Sequence, residues 1–131
     1  MQCQRRKNMK TIAVIFSLAL LCSCSADKEI CGTYQGTLPA ADGPGIATTI
    51  TFGQDHSYTE ELVYIDKDDG TFIETGKYRI TDNIMELASA AGEKSYYKIE
   101  NGQIRRLDMD QKSITGPLAD YYILKQRKKC N

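Results

Sequence analysis

Sulfur is where this sequence concentrates its capacity for chemistry. The 131 residues include five cysteines, four methionines and a single histidine. Soft thiolates and thioethers select Cu(I), so Cys31, Cys130, Met85 and Met109 are the candidate soft ligands. Two methionines on separate segments are also ordinary core filler. His56 follows Asp55 without the partners that a nucleophilic triad or a histidine-rich zinc site needs, and reads as an exposed turn residue. Asp66-Lys67-Asp68-Asp69-Gly70 has the acid density of a calcium loop but not its spacing. The glycine falls fifth instead of sixth, and Lys77 stands where the twelfth-position glutamate belongs, so an acidic hairpin turn is the better account. No group of residues assembles an active site, and the chain is expected to be non-catalytic with no cofactor and no resident metal.

The first 24 residues read as an address. Arg5, Arg6, Lys7 and Lys10 form a basic n-region, and residues 11–21 form an apolar run of eleven. Eleven helical residues span roughly 16 Å, about half a bilayer core, which suits a signal peptide and not a membrane-spanning helix. A start at Met9 gives a shorter n-region, and both starts stay open. Leu21-Cys22-Ser23-Cys24 resembles the bacterial lipobox, with Leu at −3, a small residue at −1 and Cys24 as the lipidated N-terminus. Cys22 fits less well, because Leu21 would occupy its −1 position; an ordinary secretory signal with incidental cysteines is the plainer alternative. Each buried acyl CH₂ contributes about 0.8 kcal/mol, so several chains on one cysteine hold a protein on a membrane. Ser25 stands where an inner-membrane lipoprotein would carry Asp, which points to the outer membrane, on its periplasmic face or at the cell surface. Residues 25–31 are then a short tether.

Without residues 1–24 the chain carries a net charge of −4, and it lacks the basic footprint of a nucleic-acid binder. From Cys31 onward, short segments rich in Thr, Tyr, Ile and Val recur between turn residues. Tyr34, Gly36 and Leu38 alternate, as do Ile46, Thr48, Ile50 and Phe52; Tyr58, Leu62 and Tyr64 share a face. Further strands start at Phe72, with Gly76 as a bulge or corner, and cover 84–87, 95–99, 104–109 and 121–124, with Asn101-Gly102 as a turn. Helix is confined at most to one turn after Leu38. The pattern predicts an all-β fold, a small antiparallel lipocalin-like up-and-down β-barrel. In such a barrel the first and last strands are antiparallel neighbours. Cys31 and Cys130 therefore fit a disulfide, which an oxidising envelope would preserve; free thiols at frayed ends and a pair of soft metal ligands are the other two readings. Lys125, Arg127, Lys128 and Lys129 form a basic run, and 127–131 is expected as a solvated tail.

One stretch is more specific than its composition. Residues 32–46, from Gly32-Thr33-Tyr34-Gln35-Gly36-Thr37-Leu38-Pro39 to Gly45-Ile46, resemble the opening of the NlpE family of outer-membrane lipoproteins. Gly76-Lys77-Tyr78, Gly92-Glu93-Lys94-Ser95-Tyr96-Tyr97, Leu107-Asp108 and 121–124 follow in the family's order, so the resemblance covers about 32–126. It corresponds to the family's N-terminal barrel domain. It implies an envelope lipoprotein linked to copper tolerance and to stress sensing through a two-component kinase. The family's Cys-x-x-Cys falls on Ala40 and Gly43, so the obvious copper or redox pair is gone while the loop remains a tight turn. The expected role is copper homeostasis or envelope stress sensing through protein contacts, with the membrane and an envelope protein or sensor kinase as partners. Leu38, Pro39, Asp42 and Gly45 of the 38–46 loop are the candidate contact residues. A lipocalin-like binder of a small apolar ligand is the alternative, with Tyr34, Phe52, Tyr64 and Tyr78 as lining or core.

Overall fold

The computed structural model describes residues 30–131; Cys24 and the rest of the leader lie outside the described residues. Eight strands follow one another: β1 (Gly32–Leu38), β2 (Ile46–Phe52), β3 (Ser57–Tyr64), β4 (Thr71–Thr81), β5 (Ile84–Ser89), β6 (Lys94–Glu100), β7 (Gln103–Arg106) and β8 (Ile123–Lys129). Each pairs antiparallel with the next, and β8 returns to β1 to close the barrel. The expected all-β up-and-down barrel is thus the observed fold. Alternation decides what fills it. Tyr34, Ile50, Phe52, Tyr58, Tyr78, Leu87, Tyr97, Ile104 and Leu124 are all buried. Tyr34 and Tyr78 meet the Phe52 ring edge-on at 5.6 and 5.1 Å, an arrangement the ring quadrupoles favour. The Tyr78 hydroxyl donates to the Gly53 carbonyl at 2.7 Å, so its polar end is satisfied within the core.

Closure sorts the connections into two ends. At one end, here the tether end, β1 begins and β8 finishes, among short turns at 53–56, 82–83 and 101–102. Cys31 and Cys130 are disulfide-bonded there, with Cα atoms 5.5 Å apart. The opposite, loop end carries the connections 39–45, 65–70, 90–93 and 107–122.

Four local expectations differ from the structure. The segment after Leu38 holds no helix; the short 3-10 turn is at Ala119–Tyr121. The strand expected over 104–109 stops at Arg106, because the Asp108 carboxylate accepts the amides of Asp110 and Lys112 and turns the chain. Residues 127–129 are no tail: β8 runs on to Lys129, pairing Lys128 with Thr33 and Lys129 with Gly32, while the basic side chains stay exposed. Gly76 is neither bulge nor corner. It lies in continuous register between Tyr58 and Ser89, where a Cβ would sit 2.1 Å from the Ala88 carbonyl oxygen.

Gly76→Ala is therefore expected to destabilise the barrel by about 1–3 kcal/mol, in the range of overpacked interiors. A urea midpoint equal to the parent's would contradict that close approach. Cys31→Ser with Cys130→Ser removes a bridge across 99 residues and is expected to cost about 2–5 kcal/mol. Equal denaturation midpoints for the oxidised parent and the double variant would show that the staple contributes nothing.

Candidate functional site

The alternation that builds the core also carries charge inward. On β3, Glu60 lies between Tyr58 and Leu62 on the inward face, and on β4 its cross-strand partner is Glu74. Arg106 ends β7 on the same side of the barrel wall. These residues border a cavity of about 260 Å³ at the loop end, whose apolar walls include Leu38, Ile46 and Leu62. Tyr64 borders the cavity and packs edge-on against Phe72 at 5.6 Å. A second cavity of about 540 Å³ opens at the tether end, bordered by Tyr34, Ile80 and Ile99, and the buried cluster of Ile50, Phe52, Met85, Leu87 and Leu124 lies between the two ends.

The electrostatics follow from burial. Glu60 is only 5% exposed, and loss of water raises its carboxyl above the ordinary range. The Arg106 charge pulls it back down and Glu74 pushes it further up. Tyr58 is pushed up to about 12, first by burial and then by the charges of Glu60 and Glu74. Arg106 is turned towards β6: its Nη1 donates to the Tyr97 hydroxyl at 3.3 Å, and the guanidinium lies 5.5 Å from the Tyr97 ring centre.

The residues singled out from the sequence scatter around this geometry. Leu38 is buried and borders the cavity. Pro39 is half-buried and Asp42 is exposed. Gly45 is buried, and its carbonyl accepts the Ile65 amide at 3.1 Å, tying the 39–45 loop to the β3–β4 hairpin. Met85 is fully buried near the tether end, whereas Met109 is 68% exposed in the 107–122 loop, so they cannot share an ion. His56 is exposed in its turn and stacks on Tyr78 at 5.2 Å. Among the described residues no group of three or more His, Cys, Asp or Glu is placed to hold a metal. Phe52 and Tyr78 form core, Tyr34 is core and also borders the tether-end cavity, and Tyr64 lines the loop-end cavity. The Glu60–Glu74–Arg106 cluster was missed, although a glutamate at the alternating position between Tyr58 and Leu62 was a legible anomaly.

A closed eight-stranded antiparallel barrel with a charged pocket at its loop end defines a small lipocalin-like barrel. The chain belongs to the NlpE N-terminal domain family, which matches residues 34–117. It is 32% identical to the 17 kDa lipoprotein of Treponema pallidum over 75% of this chain and 70% of that protein. To Lipoprotein NlpE of Escherichia coli it is 25% identical over 87% of this chain, spanning 46% of that longer protein. Among solved structures, a Shewanella oneidensis lipoprotein superposes with TM-score 0.67 at 34% identity, covering 79% of this chain and 95% of the other. The Cpx pathway activator NlpE of Escherichia coli follows at TM-score 0.60 and 26% identity, covering 65% of this chain and 46% of NlpE. Its relatives make this chain a membrane-anchored lipoprotein, and no helix among the described residues is long and apolar enough to cross a membrane.

Because the fold raises the Glu60 pKa, the ionised carboxylate costs stability at neutral pH, and that cost disappears as pH falls through the folded value. Glu60→Gln is thus expected to melt higher than the parent at pH 7. Its advantage should narrow on acidification and vanish below the ordinary carboxylate range. A variant less stable than the parent at pH 7 would contradict an unpaired, desolvated Glu60.

Proposed function

We propose that this chain is an outer-membrane lipoprotein, anchored through Cys24, that senses envelope stress by protein contact and performs no catalysis. The observation that carries this reading is the distribution of exposed apolar surface. Among the described residues, Ile65, Phe72, Ile73, Met109, Leu118 and Tyr121 are the exposed large hydrophobics, and every one lies in the loop-end half of the barrel. Exposed apolar surface of this kind marks contact sites. Five residues lie between Cys24 and Ile30, six steps with a reach of at most about 22 Å. A lipid on Cys24 keeps the tether end beside the bilayer and presents the loop end to partners.

The stress-sensing arm of the family's role has more support than the copper arm. Ala40 and Gly43 occupy the positions of the family's paired cysteines, and Cys31 and Cys130 are bonded to each other. No thiolate pair is left for Cu(I) among the described residues. The partner proposed is the sensor kinase of a Cpx-type pathway, or an envelope protein upstream of it, meeting the β3–β4 hairpin and the 107–122 loop.

Overproducing the lipidated chain in Escherichia coli lacking its own NlpE is expected to raise a Cpx-dependent reporter. Phe72→Ser with Ile73→Ser should weaken the contact by roughly tenfold or more, as loss of buried apolar anchors does, and lower the signal at equal protein level. A silent parent, or an undiminished response from a double variant with parent-like melting, would overturn this reading.

A further inference from the structure

The loop-end cavity holds a feature that neither the barrel nor the contact role requires. Glu60 is 95% removed from solvent, borders the cavity, and makes no hydrogen bond or ion pair among the described residues. No fully buried side-chain oxygen among the described residues lacks a partner, so the unbonded Glu60 oxygens keep some exposure, and a carboxylate this far removed from water without a direct partner is costly. Like charges directly opposite across two strands add to that cost, and Glu74 is the residue opposite. Arg106 is the nearest compensating charge, yet it forms no ion pair with Glu60 and engages Tyr97 through both a hydrogen bond and its ring. The inward carboxylates therefore feel the Arg106 charge but have no direct ion pair with it.

We propose that this cavity binds a small organic cation, an ammonium group carrying a short apolar body, with Glu60 and Glu74 receiving the charge. The walls suit such a guest. Tyr58 and Tyr64 border it with aromatic rings, of which Tyr64 already draws the Lys67 ammonium to 5.4 Å from its centre, and Leu38, Ile46 and Leu62 offer apolar surface for the body. The charged lining comprises Glu60, Glu74 and Glu93 against Lys94 and Arg106, an excess of one negative charge that a monocation neutralises. About 260 Å³ holds roughly nine waters, which sets the guest at the small end of natural ligands. Phe72 of the proposed contact surface packs on Tyr64 at the cavity's edge, so the two readings are separated by Glu60→Gln and Glu74→Gln, which leave Phe72 and Ile73 in place.

The test titrates the full lipidated chain in detergent with cyclohexylammonium, cyclohexanol and cyclohexanecarboxylate, three probes of one shape and three charges. Saturable binding of the ammonium alone is expected, and Glu60→Gln and Glu74→Gln should each weaken it by about tenfold or more. The glutamine variants also subtract any partition into micelles, and the less buried Glu74 keeps the test open should Glu60→Gln misfold. Equal binding of cyclohexanol would make the cavity merely apolar. Preferred binding of the carboxylate, lost in Arg106→Gln, would make it an anion site. Either result, or no binding of the ammonium, overturns the proposal.

Discussion

The seam between β1 and β8 is the constraint on which the rest of this molecule depends. An eight-stranded meander becomes a barrel only when its first and last strands pair, and here they do so at very close quarters. A Cβ on Gly32 would fall 2.1 Å from the Lys128 carbonyl oxygen, and one on Gly36 would fall 2.4 Å from that of Ile123. Both glycines are needed for approach, and Gly32 also has a φ of +133° that side-chain-bearing residues rarely adopt. The register shifts between Thr33 and Tyr34, as bulges do where a barrel wall bends. The Cys31–Cys130 bond lies at the open margin of this seam, so the strands that closure brings together are also covalently held.

Closure then divides the labour between the two ends. Towards the tether end, Tyr34 and Tyr78 pack edge-on against Phe52 beneath the cavity that Tyr34 borders. Towards the loop end the inward face turns polar with Glu60, Glu74 and Arg106, the connections lengthen, and large apolar side chains reach the surface. A hydrogen-bonded barrel carrying longer loops at one end is the usual arrangement of a recognition scaffold. The unpaired Glu60 is a local conflict within an otherwise consistent fold, and such conflicts tend to lie where function is.

Most of the architecture was legible because the barrel follows a period of two. Tyr34 and Leu38, or Ile46, Thr48, Ile50 and Phe52, could be placed inward from alternation alone, and the meeting of Cys31 with Cys130 follows from the adjacency of end strands. What escaped the sequence depends on contacts between distant segments. The 127–129 run looks like a tail by charge, yet β1 offers it a ladder, since exposed lysines do not prevent an edge from pairing. Gly76 looks like a breaker, but the demand at that position comes from Ala88 and Tyr58 on neighbouring strands. The pocket stayed hidden because Glu60, Glu74 and Arg106 come from three strands and only the register brings them to one wall.

The most direct test of the account is the orientation of the barrel on its membrane. A fluorophore placed through Asn83→Cys at the tether end, or through Asp68→Cys at the loop end, can be compared on lipid vesicles bearing a headgroup quencher. The account predicts strong quenching at position 83 and little at position 68, because the seam that starts the barrel faces the bilayer. Equal quenching at both positions, or the reverse order, would contradict it.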